Sequence, residues 1–98
     1  PVDIFLFGHL GQNHLPLNLL PRNEAEHATA TAYLSTITDL AIALHGTISA
    51  EHGVGKIKRA AFSKMAGTDG VANHRALKQA ADPKMILGIG TLFSATTV

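Results

Sequence analysis

Between Asn23 and Gly46 the chain carries an unbroken apolar stripe, and that stripe decides most of what it can fold into. Ala30, Tyr33, Leu34, Ile37, Leu40, Ala41 and Leu44 recur at steps of three and four, the spacing of one face of an α-helix. The start is marked twice. Asn23 can cap while Glu26 reaches back at capping-box spacing, and Glu24 suits the positive helix start. Gly46 is placed to end the helix. The other face is rich in Thr and Ala, so the helix is amphipathic and has to lie on a sheet. His27 and His45, near its two ends, read as solvated surface side chains rather than ligands. His45 also gains from the negative helix end.

The flanking segments supply strands. Val2 to Phe7 is a short apolar run stopped by Gly8, which suits a strand buried on both faces. Leu15 to Leu20 reads as a second strand, with Leu15, Leu17 and Leu19 on one face. Pro16 cannot donate to a ladder, so it belongs at an edge or at the strand start. Gly8 to His14 then makes a tight, hairpin-like connection. Thr47 to Ala50 reads as a third strand on its β-branched residues. Beyond it, a short helix fits Gly55 to Ala66, with Ile57, Ala61 and Met65 inward and Phe62 a further inward candidate. After Gly67-Thr68-Asp69-Gly70 another helix runs from about Val71 to Ala81 and stops before Asp82-Pro83. Met85-Ile86-Leu87 and Gly88-Ile89-Gly90 form an apolar tail that needs something to pack against. The expected fold is α+β: a small antiparallel sheet of about three strands, the long amphipathic helix packed on it, and a helical C-terminal half. Residues 1–54 supply the β-β-α-β part and residues 55–98 the helical segment of one fragment.

At 98 residues the chain has room for one small domain with a modest core. Pro1 in first place implies a processed or excised piece of something longer. The formal net charge of +1 points to no partner, and Lys56, Lys58 and Arg59 are the only basic cluster, which argues against a nucleic-acid surface. With no cysteine there are no disulfides and no thiolate chemistry. No apolar run is long enough to span a bilayer, and the N-terminus lacks a basic region followed by a cleavage site. A soluble, cytoplasmic product is expected.

Chemistry-bearing side chains gather in two places. Thr47-Ile48-Ser49-Ala50-Glu51-His52-Gly53-Val54-Gly55-Lys56 sets a carboxylate beside an imidazole and follows both with two glycines and a lysine. In an extended segment Glu51 and His52 project to opposite sides and need not touch. One could serve a metal while the other moves a substrate proton, since imidazole titrates near neutrality. On spacing alone, a surface loop with two ordinary polar residues is the better account. His9 and His14 stand four residues apart within a loop, and with a nearby carboxylate they could hold a divalent transition metal. Alone that signal is weak. Gly53-Val54-Gly55-Lys56 looks like a phosphate loop but lacks a glycine at position 50 and a Ser or Thr at position 57, which disfavours nucleotide hydrolysis.

Taken together, three segments resemble a known family. Gly8-His9-Leu10-Gly11-Gln12-Asn13-His14-Leu15-Pro16-Leu17-Asn18 resembles the GHxGDxNxHxN element of FAD-linked oxidases of the D-lactate dehydrogenase, glycolate oxidase D-subunit and D-2-hydroxyglutarate dehydrogenase type. Gly46 to Gly55 is similar to the same family's GG(T/S)(I/V)(S/T)xEHGxG element, the most specific of the three. Ala76 to Leu87 is similar to its closing KxxxDPxxhLNPG segment. Their order and spacing agree over essentially the whole chain.

The resemblance implies a C-terminal, flavin-capping and substrate-side piece of an enzyme that oxidises a D-2-hydroxy acid such as lactate, glycolate or 2-hydroxyglutarate. FAD would be held mainly by a flavin-binding domain preceding it, its partner in the full-length enzyme. Glu51 and His52 would lie on the cofactor side. His52 would accept the substrate hydroxyl proton, and Asn18 would be a substrate-side group. In members that use a metal, zinc or manganese, the ligands map to His9, position 16 and Glu51. Position 16 is Pro here, and His14 is the available substitute. Gln12 stands where the family is acidic, and Gly88-Ile89-Gly90 replaces the closing Asn-Pro-Gly. By itself the fragment should be inactive. The rival reading is a non-catalytic α+β interaction module, or a metal-binding one, derived from the same family. Nucleic acid and membrane are not expected partners, and the apolar tail leaves room for a homo-oligomer.

Overall fold

Of the three expected strands, two form. The computed structural model describes residues 1–94, so the last four positions of the expected C-terminal segment lie outside the described residues. The element order is β1 (Asp3–Leu6), a short 3-10 turn (Leu10–Gln12), β2 (Leu17–Leu20), α1 (Glu24–Ala43) and α2 (Arg59–Ala81). The chain is α+β, with a two-stranded antiparallel sheet. Two units divide it, Pro1–Leu40 and Ala41–Val98.

In the first unit β1 and β2 pair as a hairpin, with Asp3 opposite Leu20, Ile4 opposite Leu19, Phe5 opposite Asn18 and Leu6 opposite Leu17. Pro16 stands just before β2, where its missing N–H costs no ladder bond, and its carbonyl accepts the Phe7 N–H at 3.5 Å. Along β2, Leu17 and Leu19 are half-buried while Asn18 and Leu20 are exposed, the alternation of a strand covered on one face. Burial of β1 on both faces does not occur: Ile4, Phe5 and Leu6 are 57%, 54% and 58% exposed. A two-stranded ribbon gives its outer strand a single neighbour.

α1 begins as its sequence dictates. The Asn23 Oδ1 accepts the Glu26 N–H at 2.9 Å, and the Glu26 carboxylate accepts the Arg22 N–H at 2.8 Å. The Arg22 guanidinium also pairs with Asp3, tying the helix entrance to the first residue of β1. Of the apolar stripe in this unit only Ala30 is buried; Tyr33, Leu34, Ile37 and Leu40 remain open. Ala30, Thr31 and Leu34 share an open cleft of about 320 Å³ with Leu17 and Leu19, which sets the helix beside the half-buried face of β2.

In the second unit α1 runs out at Ala43. His45, not Gly46, takes the left-handed conformation at the helix end (φ 59°). Gly46 is needed for a different reason, since a Cβ there would stand 3.0 Å from the Ala41 carbonyl oxygen.

Thr47 to Ala50 is not a strand. The Thr47 hydroxyl donates to the Ser49 carbonyl at 3.1 Å and accepts the Ser49 N–H at 3.4 Å. Local side-chain bonds of this kind displace ladder pairing, so the first part of the chain reads β-β-α without the closing strand.

The two expected helices of the C-terminal half are joined. α2 is broken only at Gly67 (φ 65°, ψ 178°) and resumes before Gly70, earlier than the Gly-Thr-Asp-Gly run suggests. It stops at Ala81 as expected. Because α2 starts at Arg59, Ile57 falls in the turn before it and is 97% exposed rather than inward. Phe62 is the buried residue of this helix, with the His74 ring edge-on at 5.1 Å.

Asp82 is buried immediately after α2 and works as a fastener for the tail. Its carboxylate accepts from the Lys78 ammonium, the Leu87 N–H (2.9 Å) and the Ile86 N–H (3.3 Å). The Lys78 ammonium also donates to the Leu87 carbonyl at 2.8 Å. Phe93 is the buried apolar side chain of the tail, with the Arg75 guanidinium 4.6 Å above its ring. No helix among the described residues is long and apolar enough to cross a membrane.

Candidate functional site

The hairpin connection owes its shape to Gly8. At φ 150° a Cβ on this residue would lie 2.3 Å from the His14 carbonyl oxygen and 2.6 Å from the Pro16 ring. Only glycine lets the two arms close this far. The His9 N–H then donates to the His14 carbonyl at 2.8 Å, and the His14 N–H returns to the His9 carbonyl at 3.3 Å. Asn13 turns the corner in the left-handed conformation (φ 52°), which Asn tolerates. A reciprocally bonded antiparallel pair projects both side chains to one side. Accordingly the imidazoles of His9 and His14 stand together, their centroids 5.9 Å apart and tilted by 34°.

Asn18 sits on β2 opposite Phe5, exposed, on the sheet face turned from Leu17 and Leu19. Two imidazoles need a third donor to make a closed transition-metal set. Pro16 has no ligating atom. Among the described residues no group of three or more His, Asp or Glu side chains is arranged to hold a metal ion. The zinc or manganese expected on His9 and Glu51, with His14 as the substitute, is thereby left without support.

In the second unit the Glu51–His52 pair forms a bend rather than an extended run. Because the strand is lost, the two side chains meet instead of diverging. His52 Nε2 lies 3.6 Å from Glu51 Oε2. Both face solvent, the imidazole 89% and the carboxylate 45% exposed. Gly53 (φ 68°) and Gly55 (φ 57°) follow in left-handed conformations, and a Cβ at either would meet nothing within 4 Å. This side of the loop is open space.

Beneath the bend lies a polar chain that the sequence reading missed. The Ser49 hydroxyl donates to the Gly53 carbonyl at 2.7 Å, and the Lys58 ammonium donates to the Ser49 Oγ at 3.2 Å. From the tail, the Leu92 N–H donates to the Gly55 carbonyl at 2.8 Å. Ser49 lies within a quoted motif, but only the folded bend shows that its hydroxyl reaches position 53.

The family model described as FAD linked oxidases, C-terminal domain, matches residues 2–92. The chain is 35% identical over 95 residues to a D-2-hydroxyglutarate dehydrogenase of Xanthomonas citri pv. viticola, covering 93% of this chain and 20% of that protein. It is likewise 35% identical over 95 residues to glycolate oxidase subunit GlcD of Bacillus subtilis, covering 95% of this chain and 20% of that protein. To the mitochondrial D-lactate dehydrogenase [cytochrome] of Kluyveromyces lactis it is 36% identical over 88 residues, 90% of this chain and 15% of that protein. The chain thus spans about a fifth or less of the length of these relatives. No solved structure matches at a significant level. The match over nearly the whole chain, carried by relatives of three related names, bears out the resemblance of the three motifs: the chain belongs to the family of FAD-linked oxidases, as their C-terminal domain.

Proposed function

We propose that this chain is the substrate-side, flavin-capping part of an FAD-dependent oxidoreductase acting on a D-2-hydroxy acid. The observation that carries the reading is the exposed Glu51–His52 pair, its Oε2 and Nε2 atoms 3.6 Å apart beside two open glycines. With Nε2 turned toward Glu51, Nδ1 is the ring atom that takes the substrate hydroxyl proton. FAD, when bound by the remainder of the enzyme, supplies the acceptor for the hydride leaving the substrate α-carbon. Asn18 contributes an amide to the substrate side. Residues 1–54 form part of the cap domain, residues 55–98 its helical C-terminal segment, and the enzyme works in the cytoplasm. No step is assigned to a metal.

The test is His52→Ala in the full-length flavoprotein. Turnover should fall by about 10²–10⁴-fold, the usual contribution of a positioned acid–base group, while bound FAD, read from its absorbance, stays near the wild-type amount. Unchanged turnover removes His52 as the base. It would favour a non-catalytic interaction module, a role the exposed apolar side chains of β1 also suit.

A further inference from the structure

We propose that Ser49, oriented by Lys58, is a positioning residue that sets the geometry of the Glu51–His52 pair. The proposal rests on the reading of that pair as the proton-handling group of the site.

The argument starts from donor and acceptor inventory. A lysine ammonium can only donate, so in the 3.2 Å contact the Ser49 Oγ accepts from Lys58. The hydroxyl proton is thereby directed elsewhere, and the Gly53 carbonyl stands 2.7 Å away to receive it. This bond joins residues 49 and 53 across Ala50, Glu51 and His52. The two ends of the chemistry-bearing tripeptide are thus held together by one side chain. Ser49 is fixed in turn, because Thr47 Oγ1 bonds both its N–H and its carbonyl. Lys58 is fixed by its own backbone N–H, which donates to the Val54 carbonyl at 3.2 Å.

Exposure separates the two layers. Ser49 and Lys58 are half-buried, whereas Glu51, His52 and Gly53 face solvent. The Lys58–Ser49 contact is part-buried, and the Ser49–Gly53 bond that it directs is exposed. Gly53 completes the clip, since its positive φ of 68° turns its carbonyl back toward residue 49. Neither Ser49 nor Lys58 handles the proton. Their effect passes through the backbone to the two side chains that do.

In the full-length flavoprotein, Ser49→Ala should lower kcat by about 10- to 100-fold, the scale of a displaced catalytic group. KM, bound flavin and Tm should stay near the wild type. Ser49→Thr, which keeps the hydroxyl, should restore most of the loss, and Lys58→Met should reproduce part of it. In parallel, amide hydrogen exchange at residues 50–53 should quicken by about tenfold in Ser49→Ala and in Lys58→Met. Unchanged exchange in both variants overturns the clip, whatever happens to turnover. So does a kcat loss in Ser49→Ala that Ser49→Thr fails to recover. The two readings separate cleanly. If His52→Ala leaves turnover intact while Ser49→Ala still quickens exchange, the base assignment falls and the clip stands. Should Ser49→Ala fail to fold, Lys58→Met and Ser49→Thr carry the same exchange comparison.

Discussion

At Gly8 a single hydrogen atom in place of a methyl group decides whether the His9–His14 bridge can form. A Cβ there meets the His14 carbonyl oxygen at 2.3 Å, a distance no packed structure accommodates without moving backbone. Gly11, in the same connection, has nothing within 4 Å. Gly8→Ala should therefore destabilise the fold by about 3 kcal/mol, whereas Gly11→Ala should cost about 0.5 kcal/mol or less. Urea titration of both variants measures the contrast, and equal midpoints would show that the close approach does not constrain the hairpin. The same lesson holds at Gly46 for a different reason. Its neighbour His45 takes the positive φ, while Gly46 supplies closeness to the Ala41 carbonyl.

At the scale of elements, the stop at Asp82-Pro83 is a fastener as well as a helix end. Hydrogen bonding from Lys78 first, and from the Leu87 N–H next, holds the Asp82 carboxyl below its ordinary value of 3.8. A depressed folded value means the stabilisation is fully present above pH 3.8 and is lost as pH falls through the lower folded value. Asp82→Asn should accordingly lower Tm at neutral pH and lose its difference from the wild type in strong acid. A constant difference across that range would deny the ionised carboxylate its part.

What could be read beforehand follows the range of the forces involved. The capped helix from residue 24, the hairpin around Gly8 and the stop before Asp82 depend on neighbours a few residues apart, and all three were legible. The strand expected at Thr47 to Ala50 was not, because β-branched composition says nothing about where a pairing partner lies. Ile57 was placed inward on a helix that starts two residues after it. His9 beside His14 and Glu51 beside His52 were visible as candidate pairs. The bend that makes the second pair meet depends on Ser49 reaching Gly53, a contact that local pattern does not announce.

Over the whole molecule, apolar area is left open wherever the chain has few layers to cover it. Ala30, Phe62 and Phe93 are the buried apolar side chains among the described residues, while the large side chains of β1 and much of the α1 stripe are open. So little burial offsets chain entropy only narrowly. A chain spanning about a fifth of its relatives' length fits that state. If the remainder of the protein covers these side chains, the 98-residue chain should bind an apolar fluorescent dye more strongly per mole than the full-length flavoprotein does. Equal dye fluorescence would mean the surface stays open in the whole protein.

The bond from the Leu92 N–H to the Gly55 carbonyl gives synthesis a direction. A ribosome makes Glu51 and His52 well before it makes the strap that steadies their loop. A nascent chain that stalls short of position 92 would leave the ribosome with the Glu51–His52 bend already made and its latch missing. Any early stop codon in this last stretch would be felt first in the loop, far upstream in the message.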